Sequence, residues 1–170
     1  MDQIRLARRE DLERIEALFQ ASRQLMIRSG NPNQWAGAYP AREDAESDIA
    51  EGIGYVLERE GLVHAYFMLT ASPEPRYAQL SEGAWLKDRP YLVMHRLAGS
   101  GEAKGLARPC FDFAKGLARE KKVDLRADTH PDNRIMQAAF LRYGLRYCGV
   151  IPWPDGSIRL AYQWLWDGTD

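Results

Sequence analysis

Cysteine is scarce in this chain. Only Cys110 and Cys148 occur among 170 residues, with three histidines in all. No Cys-x-x-Cys pair exists, so neither a disulfide framework nor a zinc site organises the fold; reduced thiols and no metal are expected. Long apolar runs are lacking too. None approaches the ~18 residues that span a bilayer, and the first residues are charged where a leader would place a basic and then an apolar stretch. No membrane contact, no secretion and a cytoplasmic location are therefore expected. Nor is there an excess of one charge: 23 basic against 24 acidic residues leave a net of -1. A nucleic-acid partner would need a broad basic face, so none is expected. Internal repeats, low-complexity tracts and linkers are also missing, and the length suits a single domain over residues 1–170. With 45% apolar and 28% charged residues, the chain has the composition of a folded globule.

The apolar periods are clear. Ile4 to Leu6 reads as a strand, and Glu10-Asp11 open a helix in which Leu12, Ile15, Leu18, Phe19 and Met26 recur at helical spacing until the breakers Ser29-Gly30-Asn31-Pro32. An aperiodic, aromatic loop follows. Ala41 to Glu51 suits a short helix, and residues 41 to 60 carry seven acids against two arginines. Tyr55–Leu57 and Leu62–Leu69 read as strands of a hairpin whose Gly61 supplies a positive φ. Tyr91–Ala98 is a fourth strand, Gly105–Lys121 a helix, Val123–Thr129 a strand, and Asn133–Tyr143 a helix stopped by Gly144. Tyr147–Trp153 and Ile158–Trp164 flank the turn Pro154-Asp155-Gly156 as a last hairpin. This order, β-α-α-β-β-β-α-β-α-β-β, fits a mixed sheet with helices better than a uniformly alternating βαβ pattern.

The strongest chemical feature joins the fourth strand to the next helix: Ala98-Gly99-Ser100-Gly101-Glu102-Ala103-Lys104-Gly105-Leu106-Ala107. Small residues before a helix let backbone N–H groups approach a phosphate, and the helix dipole favours negative charge there. Residues 102 to 126 carry seven bases and four acids, in keeping with an anionic ligand. The same glycines would also serve as plain turn and cap residues. A Walker-type P-loop is excluded because Gly105 follows Lys104 and no Ser or Thr comes next; a dinucleotide loop would follow the first strand, not the fourth.

These residues resemble the GNAT superfamily of N-acetyltransferases. Its pyrophosphate loop, Q/R-x-x-G-x-G/A after the fourth strand, is matched by Glu102, Gly105 and Ala107, with glutamate in place of glutamine or arginine. Its later pattern N-x-x-A-x-x-L-Y-x-x-x-G-F is matched in frame by Asn133, Met136, Ala139, Phe140, Gly144 and Leu145. The resemblance implies an α/β (α+β) fold with a mixed, mostly antiparallel sheet of six to seven strands, splayed between strands four and five and flanked by about four helices. It implies acetyl-CoA as co-substrate. Pantetheine would run beside Arg96, Leu97 and Ala98. The loop of Gly101, Glu102, Ala103, Lys104, Gly105, Leu106 and Ala107 would hold the pyrophosphate, and Asn133 and Phe140 would border the cofactor. Asn133 is equally suited to cap its helix.

Acetyl transfer needs a base for the amine and an acid for the departing thiolate. By the resemblance, His95 is the candidate base, acting through water, with a buried strand histidine as the other reading. Phe140 occupies the family's usual tyrosine position, so Tyr143, about one turn on, is the candidate acid, or else a core residue. Asp128 and His130 compete for the base role; with Arg126 they would equally well form an ordering cluster, and His64 reads as core. On the acceptor side stand Asn33, Gln34, Trp35, Tyr39, Trp85 and His130, whose aromatics suit an ammonium or a ring, or pack the loops. The expected acceptor is a primary amine on a small molecule or peptide. A non-catalytic acyl-CoA-binding module is the alternative, and a homodimer is expected by analogy with small family members.

Overall fold

The computed structural model describes residues 1–168. Seven strands form one sheet in the order β1-β2-β3-β4-β5-β7-β6, mostly antiparallel, with β4 and β5 parallel. They are β1 (Asp2–Leu6), β2 (Gly54–Arg59), β3 (Leu62–Thr70), β4 (Tyr91–Gly99), β5 (Asp124–Thr129), β6 (Arg146–Pro152) and β7 (Ile158–Trp164). The helices are α1 (Leu12–Arg28), α2 (Arg42–Ala50), α3 (Ala107–Lys121) and α4 (Arg134–Arg142). Short 3-10 turns at Arg9–Asp11 and Pro75–Gln79 complete the elements; the first takes the place of the expected opening turn of α1. No helix of the described residues is long and apolar enough to cross a membrane. The chain divides into two compact units, residues 1–69 with 95–113, and residues 70–94 with 114 onward.

In the first unit the period-two rule sorts the sheet faces. Val56 pairs with Tyr66 and Tyr55 with Phe67, so the two pairs point to opposite faces. Val56 and Tyr66 join Leu12, Ile15, Leu18 and Phe19 of α1, Ala45 of α2, Trp35 and Ala98 in one buried cluster. Each large side chain buried there contributes about 1.5–3 kcal/mol. On the other face, Phe113 of α3 meets Tyr55 and Phe67 at ring separations of 5.1 and 6.1 Å. The hairpin turn is tighter than expected. Both Glu60 (φ 54) and Gly61 (φ 79) are left-handed, and the ladder closes at Arg59–Leu62 as a two-residue turn.

The second unit is built on β5, β7 and β6. Placing β7 beside β5 pairs Arg126 with Gln163 and Asp128 with Ala161, while β6 pairs outward from Arg146–Gln163 to Pro152–Ile158. β4 contributes Tyr91, Leu92 and Val93 opposite Asp124, Leu125 and Arg126. Asp124, wholly buried, is the hub at this end: it accepts from Arg89 (2.8 and 2.9 Å), Gln163 Nε2 (2.9 Å) and the Trp166 N–H (3.2 Å). The segment before β4 lies against β6, where a Cβ on Gly83 would stand 2.0 Å from the Cys148 carbonyl. Glycine is required there by space. Cys110, in the first unit, and Cys148, in the second, are both buried free thiols.

Candidate active site

The far half of β4 and the loop after it belong to the first unit. Arg96 is left-handed at φ 57 in the middle of the strand, a conformation costing a non-glycine residue on the order of 1–2 kcal/mol. Its guanidinium is held in compensation: Nη1 reaches both oxygens of Asp48 at 2.6 and 2.7 Å, and Nε donates to the Tyr39 hydroxyl at 3.2 Å. Asp48, 4% exposed, also accepts from the Tyr66 hydroxyl at 2.5 Å. Burial and this carboxylate push the Tyr66 pKa well up, so it stays a donor. The left-handed Arg96 also interrupts the alternation of β4, so His95 and Leu97 on either side of it do not follow the regular side-chain period of a strand. His95 is half-buried, as is Leu97, while Ala98 enters the core.

The loop leaves β4 under tight control. Ser22 of α1 accepts from the Gly99 N–H (2.9 Å) and donates to its carbonyl (3.3 Å). The Ser100 N–H bonds to the His64 carbonyl at 2.9 Å, and the His64 ring meets Ser100 Oγ at 3.2 Å. Glu102 does not turn toward the loop's own backbone: Arg14 holds it at 2.7 Å and lowers its pKa. Arg59, itself paired with Asp2, donates to the Lys104 carbonyl at 3.2 Å. Gly101 (φ 73), between these anchors, and Gly105 (φ 74), just after the last of them, are left-handed, and open space surrounds the position a Cβ would take on either. Ala103 is half-buried, Lys104 exposed and Leu106 buried, and Ala107 begins α3. The first N–H groups of a helix have no partner within it. Loop and helix start thus offer anchored backbone with open space beside its glycines and a positive dipole end, with Arg14, Arg59, Lys104 and Arg108 near in sequence or bonding.

On the acceptor side, Trp35 is 6% exposed with its ring 6.0 Å from Phe19, so the core takes this ring. Asn33 is exposed, and Gln34 accepts from Asn31 at 2.8 Å. Tyr39 remains exposed, with the Arg96 guanidinium 5.6 Å from its ring centre. Arg23 of α1 fastens the loop by donating to the carbonyls of Trp35, Tyr39 and Pro40 at 3.0–3.1 Å. A cavity of about 340 Å³ lies between α1 and this loop, bordered by Glu16, Gln20, Ala38 and Glu43.

In the second unit most candidate side chains carry structural bonds. Asn133 caps α4, accepting from the Met136 N–H at 3.0 Å. Phe140 is 4% exposed and packs on Tyr162 at 4.9 Å. Tyr143 ends α4 half-buried, and its carbonyl accepts from Lys115 Nζ at 3.1 Å. Trp85 donates to the Tyr77 carbonyl at 3.0 Å and stacks over Arg126 at 4.0 Å. Asp128 accepts from the Tyr77 hydroxyl at 2.8 Å. The Arg126 guanidinium lies against two aromatic rings, and Asp128 bonds a tyrosine. His130 Nδ1 accepts from the Asp132 N–H at 3.0 Å, which leaves the neutral ring's proton on Nε2. Burial and the Arg159 charge lower its pKa. Among the described residues no group of three or more His, Cys, Asp or Glu side chains could hold a metal.

No protein-family model matches the sequence, and no curated protein matches it. Solved structures do. A GNAT-family acetyltransferase from Streptococcus agalactiae is 33% identical, superposes with a TM-score of 0.86, and is matched over 96% of this chain and 95% of its own. The chain belongs to the GNAT family of acetyltransferases. A candidate acetyltransferase from Staphylococcus aureus is 26% identical with a TM-score of 0.74, covering 96% of this chain and 99% of that one. A Salmonella typhimurium protein solved with its cofactor acetyl-CoA shares the fold at 14% identity and a TM-score of 0.63, covering 99% and 95%.

Of the positions at which this GNAT acetyltransferase departs from its family pattern, two have physical accounts. Glu102 is spent on Arg14, and Phe140 on Tyr162. Sequence reading missed the residues that hold the loop: Ser22, Arg14 and Arg59, together with the Asp48 that holds Arg96. Two of them left a trace. Ser22 interrupts the apolar stripe of α1 one turn after Leu18 and Phe19, and Asp48 follows buried Ala45 by one turn of α2.

Proposed function

We propose that this acetyltransferase is acetyl-CoA-dependent and moves the acetyl group directly to a primary amine of a small molecule or peptide. What carries the reading is the loop between β4 and α3: two left-handed glycines with open space at their Cβ positions, pinned on both sides and leading into the start of a 15-residue helix. Such backbone suits a diphosphate, because N–H groups can approach it closely and the helix dipole favours its charge. Pinning by Ser22, His64 and Arg59 keeps those groups oriented before the ligand arrives.

The chemistry then needs little apparatus. Arg96, Leu97 and Ala98 flank the acyl arm, and His95 takes the ammonium proton through water, since only the neutral amine attacks the thioester carbon. As the C–N bond forms and the C–S bond breaks, the thiolate leaves and takes a proton, for which Tyr143 is the hydroxyl proposed. Phe140 offers no proton. His130 donates from Nε2 to a carbonyl of the acceptor, and Tyr39 offers it an exposed ring.

The test is thiol release from acetyl-CoA against a panel of primary amines, with calorimetry of acetyl-CoA on the same protein. Turnover of at least one amine and saturable acetyl-CoA binding are expected. Binding without turnover of any amine would leave an acyl-CoA-binding module, and no binding would overturn the proposal.

A further inference from the structure

The oddest backbone in the first unit is the left-handed Arg96 inside β4. Glycine would adopt that conformation at no steric cost, and arginine does not. Something outside the strand must hold it. What holds it is visible: Asp48 of α2 grips Nη1 with both oxygens at 2.6 and 2.7 Å, Asp44 stands 3.7 Å from Nη2, and the Tyr39 hydroxyl accepts from Nε at 3.2 Å. The grip is itself braced, because Tyr66 of β3 donates to Asp48 at 2.5 Å. Side-chain exposures of 16% for Arg96 and 5% for Asp48 shelter the pair from water. Two residues on, Ala98 is fixed in the core. The stretch from Arg96 to Ala98 is thus clamped at both ends, with a turn between that re-aims every amide and side chain following it.

We infer that Arg96 is a positioning residue: through Asp48 it maintains the left-handed turn that directs Leu97 and Ala98 toward the acyl group, and through Tyr39 it ties that strand to the acceptor loop. The inference rests on the N-acetyltransferase reading above. It divides the work of one side chain into two parts that different substitutions separate. Arg96→Ala loses the clamp and keeps the backbone penalty. Arg96→Gly loses the clamp but accepts the turn freely. Arg96→Lys keeps the charge without the two-pronged grip, and Asp48→Asn weakens the grip from the other side.

The experiment is steady-state kinetics on the purified chain with acetyl-CoA and an amine that the wild type acetylates, together with melting temperatures. Arg96→Ala is expected to lower kcat at least 10-fold, and Arg96→Gly to regain several-fold of that loss. Both should raise the KM of the amine several-fold, since the Tyr39 hydroxyl loses its bond to Arg96 in both. Asp48→Asn and Arg96→Ala should combine to little more than the larger single effect, as expected for residues acting as a unit. Should Arg96→Ala fail to fold, Arg96→Lys and Asp48→Asn carry the test, each expected to lower kcat and raise the amine KM. If kcat is equal in the glycine and alanine variants, or the folded variants lose only melting temperature, Arg96 is merely structural and the inference falls. A wild type that neither binds acetyl-CoA nor acetylates any amine overturns the reading, and this inference with it.

Discussion

Charged residues are treated differently in the two units. In the first, Arg14 and Arg59 are bonded to the loop after β4, through the Glu102 carboxylate and the Lys104 carbonyl, and both bonds reach residues that stay open to solvent. In the second, Asp124, Arg126 and Asp128 of β5 are closed in by Gln163, Trp85, Tyr91 and Tyr77, and those partners are themselves buried or half-buried. A polar network that ends on exposed backbone prepares a surface for a ligand. One that ends on buried rings and amides consumes its polarity in stability, because every buried donor and acceptor must find a partner.

The largest expected effect breaks the second network. Asp124→Ala would strip the buried Gln163 amide and the Trp166 N–H of an acceptor, a loss of about 3 kcal/mol at ~1–3 kcal/mol per orphaned group. Urea unfolding should show it. A cost within 0.5 kcal/mol would mean that β5 is held by something other than its hub.

Next comes the first unit's chemistry. His95→Gln keeps size and hydrogen bonding but cannot titrate, so kcat should fall about 10²-fold with acetyl-CoA affinity nearly unchanged. A fall in affinity instead would make His95 part of the fold of β4.

Glycine substitution compares the units directly. Gly105 (φ 74) and Gly156 (φ 84) are both left-handed with open space at Cβ, so valine at either should cost a similar on the order of 1–2 kcal/mol. Only Gly105→Val should weaken acetyl-CoA, by 10-fold or so, read by calorimetry. Equal binding in the two variants would remove the loop from the cofactor site.

The smallest effect concerns His130. Its pKa is depressed by burial and then by Arg159. The unfolded chain therefore takes up a proton near the ordinary value of about 6.5 that the folded chain refuses. Its contribution is present above that value and is lost as pH falls below it. Melting temperature should decline less steeply between pH 6.5 and 5 in His130→Gln than in the wild type. An unchanged slope would show that His130 titrates alike in both states.

How much of this could be read from the sequence differs by residue. The period of α1, the hairpin with its Gly61, the glycine loop and the Asn133 cap were all legible, because each is decided by neighbours within a few positions. Trp35 was legible as an aromatic in a loop, but whether it faced an acceptor or Phe19 was not. Nothing near Arg96 announces a left-handed residue, since its cause lies on another helix.

Sequence alone therefore determined the order of elements, their approximate ends, and the place of the glycine-rich loop between β4 and α3. Tertiary structure decided that β7 lies between β5 and β6, that Glu102 answers Arg14 from 88 residues away, and that Arg96 is turned left-handed against Asp48. The physical reason is range. Propensity, capping and period act across a turn or a pleat, whereas the partner of a charge is fixed by which strands and helices come to lie side by side.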